Sequence, residues 1–459
     1  MRSALLWFRR DLRLDDHLGL ALAQAEGRAV IPVFIRDQIT EGLAAAPKFR
    51  LGLGLQSFAE RLAEVGLKLT LRSGEPLAVL SQLIAETGAD LVIWQRRYYP
   101  TGRTIDTRVK TVLRERGLRV ESVPGFLLRE PWEVLSGEGR PFKVFTPFWR
   151  ALQGKGTLAA VEQRPEDRVA SNWPDTENLT DWHLGKAMFR AAPFLARHQS
   201  VGEVAALDRL VEFREQVTDY ASNRDRLDHQ ATSQLSAALA LGEVSPRRVW
   251  TALQNVPGGE GVLRQLAWRD FAWNLAYHTP QLLTGNWRPE WDAFPWRTDN
   301  PEAEAWRWGE TGIDVIDAAM RELWITGRMH NRARMIVASY LTKHLMTDWR
   351  VGLRWFEDTL TDWDAANDAM GWQWVAGSGP DAAPYFRVFN PETQAEKFDP
   401  DGTYRTEWLT HPDYAAMTPK SRAITRPLQP IIALSEGRDR ALAAHQTFRG
   451  ALSDPRVAS

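Results

Sequence analysis

Arg334, Asp362, Asp364 and Asp368 set one cation among three carboxylates, and the stretch around them holds thirteen of the chain's 21 tryptophans, from Trp268 to Trp374. Indole is among the most easily oxidised side chains, so such a crowd beside charged groups suits a redox cofactor that exchanges electrons with protein. A large aromatic core would collect tryptophan as well, and the count alone does not separate the two. Arg328-Met-His-Asn-Arg-Ala-Arg334 is a dense cationic turn leading straight into Met335, Ile336 and Val337. Part of that turn must face the interior, where an unpaired charge is costly. Arg334 with Asp362 could then form a buried pair beside a polar heterocycle; a solvated basic face is the other reading. Thr232-Ser233-Gln234-Leu235-Ser236 places hydroxyls and backbone N–H groups at the start of a predicted helix. They could hold an anion there or simply cap the helix.

The elements that must carry these residues read in two styles. Up to about residue 125, short apolar runs (Ala4–Phe8, Ala29–Ile35, Lys68–Leu71, Leu91–Trp94, Arg119–Val123) alternate with amphipathic stretches (Leu18–Ala25, Lys48–Val65, Leu77–Thr87, Thr104–Arg116). That alternation predicts an α/β domain, a doubly wound parallel sheet covered by helices, over 1–126. Gly52-x-Gly54 lies inside a helical stretch and lacks a third glycine at the required spacing, so it is read as helix packing and not as a dinucleotide fingerprint. Residues 127–200 are rich in Pro, Gly, Trp and charge and read as an interdomain connector ordered against a neighbour. From 201 to 459 the helical period dominates, over Gly202–Asp219, Thr232–Ala240, Ser245–Leu253, Gly261–His278, Asp314–Leu323, Asn331–Leu345 and Val351–Leu360. The second domain is expected to be mainly α-helical.

Bulk properties exclude more than they assign. With 57 Lys+Arg against 58 Asp+Glu, net charge gives no pull towards nucleic acid, and any such binding must rest on a local patch. Cysteine is absent, which removes disulfides and Cys-ligated metal centres, and the nine histidines show no H-E-x-x-H spacing, so no metal site is expected. The apolar start breaks at Arg9 and no eighteen-residue apolar run follows, so no membrane association is expected and the cytoplasm is the default compartment.

Longer motifs sharpen the reading. Asp362-Trp-Asp-Ala-Ala-Asn-Asp-Ala-Met-Gly-Trp-Gln-Trp374, Gly379–Pro391, Leu6-Trp-Phe-Arg-Arg-Asp-Leu-Arg-Leu14, Asp317-Ala-Ala-Met-Arg321, Met329-His-Asn-Arg332 and Asn390-Pro-Glu-Thr-Gln394 resemble, in order, those of the photolyase/cryptochrome family, closest to its bacterial cyclobutane-dimer photolyases. The likeness covers nearly the whole chain. It implies an antenna-type domain followed by a helical FAD-binding domain, and light-driven repair of cyclobutane pyrimidine dimers by electron transfer from reduced FAD. Carried over by position, Tyr220, Thr232, Ser233, Gln234, Leu235, Ser236, Asn331, Arg334, Asp362, Trp363 and Asp364 are implied to bind FAD. Trp372, Trp349 and Trp296 are implied to relay electrons from the surface. Trp268 and Trp374 match the tryptophans that stack on the lesion, Met335 a lesion contact, and Arg224, Arg269, Asn331, Arg332, Arg387 and Gln394 the face that meets UV-damaged DNA. A monomer is expected. A second antenna chromophore (deazaflavin, flavin or folate) is compatible with Tyr98-Tyr-Pro-Thr-Gly-Arg103, although the folate-binding Asn-Glu pair is replaced by Thr101 and Gly102.

Two positions depart from the cyclobutane-dimer pattern. Gln265 stands where those enzymes resemble one another in carrying a lesion-bonding glutamate, and glutamine there is similar to the (6-4) photolyases. Asp368 stands opposite flavin N5, where most photolyases have asparagine and plant cryptochromes aspartate. A buried carboxyl has a raised pKa and can donate a proton. Both substitutions keep two alternatives open at this point: a cryptochrome-type photoreceptor with weak or lost repair, and a (6-4) photolyase.

Overall fold

The computed structural model describes residues 2–156, 160–161, 173–381, 385, 387–418 and 429–453. Parts of the 127–200 connector, and Ala382–Pro384 and Phe386 of the 379–391 motif, lie outside the described residues. Five short strands, β1 (Ser3–Phe8), β2 (Ala29–Arg36), β3 (Thr70–Ser73), β4 (Leu91–Gln95) and β5 (Arg119–Val123), form one parallel sheet in the order β3-β2-β1-β4-β5. β1 is central and Ala4 to Trp7 are fully buried, which is why its sequence is apolar without alternation. Pro32 is tolerated inside β2 because β2 meets β3 only from Val33 onward, so the missing N–H costs no bond on that side. β3 begins two residues later than Lys68–Leu71 predicts, with Leu69 still buried as the chain enters it.

Helix Ala45–Glu64 bears out the packing reading of Gly52 and Gly54. A Cβ at Gly52 would sit 3.2 Å from Leu184 and one at Gly54 3.1 Å from Glu243, so both glycines let neighbours approach the helix. Where it is described, the connector packs inward: Leu127, Leu128, Val134, Phe145, Phe148, Trp149 and Leu152, with Phe126 just before them, join the core around helix Gly259–His278. Asp270 fixes its start by accepting from the Leu128 and Arg129 N–H groups at 2.9 and 3.1 Å.

The remainder is helical, with three departures that matter for the site. Helix Asn331–Ser339 does not continue to Leu345 as an α-helix; Tyr340–His344 is a π-helical turn. Helix Ala365–Ala376 was hidden in sequence by its mixed Asn, Asp and Gly content, and it starts where the Asp364 side chain accepts from the Asn367 N–H at 3.1 Å. The helix expected over Thr232–Ala240 forms only over Ser236–Leu241, because Gln234 takes a left-handed conformation (φ +55°) and ends any helical path through 232–235.

Candidate functional site

Helix Ala365–Ala376 packs against both Gly259–His278 and Asn331–Ser339, and the charged cluster lies where the three meet. One Arg334 Nη2 donates to both oxygens of Asp362, at 2.9 and 2.8 Å, while Nη1 stands 3.5 Å from Asp368 and Nε donates to the Met329 carbonyl. Asp368 also accepts from the Asp364 N–H at 3.0 Å. Asp364 in turn accepts from Trp273 Nε1 at 3.1 Å and lies 3.7 Å from Arg269 Nε. All three carboxylates are buried. Burial raises the Asp368 pKa to about 7 against the pull of Arg334, with Asp362 adding to the rise. The buried-pair reading of Arg334 therefore holds, and the solvated-face reading does not.

Arg269 is placed differently from its expected DNA-facing position. It is 8% exposed, its guanidinium donates to the Phe126 carbonyl at 2.6 Å and stacks on the Phe126 ring at 4.1 Å, and it belongs to the carboxylate cluster. Arg269 lies about 100° round the helix from Trp268, on the side where the Phe126 carbonyl and Asp364 hold its guanidinium inside. Gln265 and Trp268 are both half-buried. The Trp268 ring lies flat on Phe145, with centroids 3.7 Å apart and planes 6° from parallel, and the exposed Arg264 sits over the same Phe145 at 5.3 Å. Neither Phe145 nor Arg264 was singled out in sequence, although Arg264 stands one turn before Trp268.

Trp372 and Trp349 are buried and Trp296 is half-buried. The backbone strings them together. The Trp372 ring occupies the space above Gly352, where a Cβ would come within 2.0 Å of it, and Gly352 is one turn along the helix Trp349–Thr359 from Trp349. Arg297, next to Trp296, bridges to Thr347, and its carbonyl accepts from the Asp348 N–H at 2.9 Å, one residue before Trp349. Trp349 Nε1 is held by Asn286 at 2.9 Å, a contact no sequence pattern announces. Trp308, Trp324 and Trp355 form a separate aromatic group, with neighbouring centroids 4.8 and 5.9 Å apart.

Round this interior runs a mixed rim. Asn331 is exposed and Met335 half-buried, with the amide 3.9 Å from the sulfur. Arg332 pairs with Asp225 at 2.8 Å and covers the Phe398 ring; Arg224 lies 5.3 Å from the Tyr220 ring centre. Arg387 is exposed and Gln394 half-buried. Trp374 lines a shallow cleft with Lys343, Arg387 and Phe389. A second shallow cleft runs beside the 232–236 loop, lined by Ser200, Arg209, Gln234, Leu235 and Arg328. Arg209, which was not foreseen, holds that loop by donating to the Thr232 and Ser233 carbonyls at 3.0 and 3.1 Å. The Trp363 carbonyl accepts from Arg10 at 3.2 Å, tying the cluster to the N-terminal sheet domain.

Two family models match the chain: "DNA photolyase" over residues 4–166 and "FAD binding domain of DNA photolyase" over 262–445. A deoxyribodipyrimidine photo-lyase of Agrobacterium fabrum is 42% identical, covering 97% of this chain and 98% of its own. The chain belongs to the photolyase/cryptochrome family. A class III photolyase structure from Agrobacterium tumefaciens superposes with a TM-score of 0.90 at 40% identity over 98% of each chain. Cryptochrome-2 of Arabidopsis thaliana is 34% identical over 91% of this chain and 74% of its own.

As in the family at large, the group to be held is FAD. The donor set fits it: Arg269 Nη2 is buried without a hydrogen-bond partner, at a carboxylate cluster that already shares two guanidinium groups. An orphaned donor of this kind needs an acceptor, which a polar heterocycle supplies. Among the described residues no group of His, Asp and Glu could hold a metal ion, and no helix is long and apolar enough to cross a membrane.

Proposed function

We propose that the chain is a light-driven photolyase that reverts cyclobutane pyrimidine dimers in DNA, with FAD as the catalytic cofactor. The observation that carries this reading is the Arg334–Asp362–Asp368 cluster, its carboxylates buried where three helices meet, with the half-exposed Trp268, Met335 and Trp374 carried on those same three helices. FAD, reduced and excited by blue or near-ultraviolet light, supplies the electron that opens the cyclobutane ring and takes it back afterwards. Arg334, Asp362 and Asp364 hold and orient the ring system, Asn331 meets it from the helix start, and Tyr220 with Thr232 to Ser236 and Trp363 holds the rest. Asp368 keeps a proton up to about neutral pH and is the donor nearest at hand in this cluster.

A dimer must leave the duplex to reach such a pocket. Trp268, already stiffened by Phe145 beneath it, offers one flat face, and Trp374 the other. The Gln265 amide, on the Trp268 face, donates a hydrogen bond to the lesion. Arg224, Arg332, Arg387, Gln394 and the newly found Arg264 position the phosphates, which lets a chain of net charge −1 bind DNA through one face. Trp296, Trp349 and Trp372 refill the flavin with electrons from the surface. Relatives at 42% and 40% identity carry photolyase names, so the photoreceptor and (6-4) alternatives are not favoured.

The test is direct. Reduced protein incubated with dimer-containing DNA should remove dimers under blue light and not in darkness. No loss of dimers in light, at protein concentrations where the DNA is bound, would sink the proposal.

A further inference from the structure

A lysine lies buried beneath the segment that carries Arg387. Lys343 is 2% exposed, sits in the π-helical turn Tyr340–His344, and donates from Nζ to the Arg387 carbonyl at 2.7 Å. Residues of the turn and its flanks hold the segment at further points. Ser339 Oγ accepts from the Phe389 N–H at 3.3 Å, and Tyr385 packs over Lys343 with its ring centre 5.4 Å from Nζ and its hydroxyl against Met346 Sδ at 3.6 Å. Lys343, Ser339, Arg387 and Phe389 then close around the cleft that contains Trp374. A π-helical turn inserts an extra residue into a helix and is found frequently at functional sites. Here it carries the ammonium under Arg387.

The groups facing that ammonium are all neutral or cationic. His344 is its neighbour on the turn; Arg440, on the C-terminal helix Leu434–Leu452, donates to the His344 carbonyl; His445 of the same helix stacks on Tyr385 at 4.7 Å; Arg387 lies above. Among the described residues Lys343 forms no salt bridge. The burial of an amine without a carboxylate is costly unless an anion completes the site.

We propose that Lys343 is a positioning residue for DNA binding, one that fixes Arg387 beside Trp374 and completes its own charge balance when the phosphates flanking the dimer arrive. This rests on the photolyase reading given above. Burial alone lowers the Lys343 pKa to about 7, and His344 and His445 are lowered as well, so these two histidines are neutral at the pH where Lys343 titrates. Phosphates bound nearby favour the ammonium, so DNA binding takes up a proton and affinity falls as pH rises from about 7 to 9.

The experiment measures the Kd of the flavin-loaded enzyme for dimer-containing duplex from pH 6 to 9, in wild type, Lys343→Met and Lys343→Arg. Lys343→Met should weaken binding about tenfold at pH 6.5, the loss expected of one charge-assisted contact, and flatten the pH profile. Lys343→Arg, charged throughout, should keep wild-type affinity at pH 6.5 and lose the decline above pH 7. The Arg variant guards against misfolding of the Met variant and against titration of Asp368, which all three proteins share. Equal affinities and parallel profiles in the three proteins would overturn the inference. Failure of the wild type to bind or repair dimers would instead overturn the photolyase reading itself.

Discussion

Asp368 shows how one side chain carries both the chemistry and its cost. Its carboxyl titrates at about 7 in the folded protein, against 3.8 when free, because burial outweighs the attraction of Arg334. The folded state therefore binds more protons than the unfolded state between those values, and stability falls as pH rises through that window. A rise of that size is worth at most about 4 kcal/mol. Asp368→Asn removes the penalty while keeping the shape, so in flavin-stripped protein the variant should gain on wild type in denaturant unfolding from pH 4 to pH 7, with the difference constant above about 7.5 and absent below 4. Parallel stability curves over that range would show that Asp368 is not buried as a lone acid. Sequence could flag Asp368 only through its place in the 362–374 motif, and the magnitude of the shift was beyond it, since burial is a property of three helices from distant parts of the chain.

At the scale of elements, legibility followed the periodicity. The sheet strands could be read because each is a short apolar run buried on both faces, and the amphipathic helices because one stripe is apolar. Helix Gly259–His278 is buried on nearly every side, so its pattern does not say which residues face the rim, and Arg269 could be told from Trp268 only in three dimensions. Tyr340–His344 reads as ordinary helix because its π-helical bonding changes the backbone register and leaves the apolar content alone. Gly352 was passed over for a related reason: nothing local in Trp349–Thr359 shows that a ring from another helix lies on its α-carbon. It yields a sharp expectation. Gly352→Ala puts a methyl group 2.0 Å from the Trp372 ring, so that ring must move or the helices must part. Overpacking of this kind costs about 1–3 kcal/mol. Photoreduction of the oxidised enzyme should slow in Gly352→Ala, and in Trp372→Phe as well, while pre-reduced enzyme still repairs dimers. Photoreduction at the wild-type rate in both variants would remove Trp372 from the main electron route.

For the whole molecule, the sheet domain and the helical domain meet through buried charge. Arg50 and Glu243, at 0% and 1% exposure, form a two-point pair with contacts of 2.8 and 2.5 Å, and Asp16 binds Arg247 and the Ser245 hydroxyl a few residues on. Gly242, just before Glu243, takes φ +69°, and a Cβ there would lie 2.1 Å from the Arg10 carbonyl, so the domains touch backbone to backbone. This interface bears on the cofactor because Ser236–Leu241 runs directly from the 232–236 loop to Gly242 and Glu243. Loosening one end of that short helix should loosen the other. Glu243→Gln leaves Arg50 charged and unpaired in the interior and should cost about 3–5 kcal/mol, whereas Arg50→Met with Glu243→Met should recover most of the loss, because the pair is costly to desolvate and its value lies in not being half broken. The ratio of flavin to protein absorbance after purification should fall in the single variant and return in the double one. A single variant that unfolds at the wild-type denaturant midpoint but still loses flavin would mean that Glu243 acts on the 232–236 loop without holding the domains together; full flavin in a destabilised variant would mean that the loop is set by Arg209 alone.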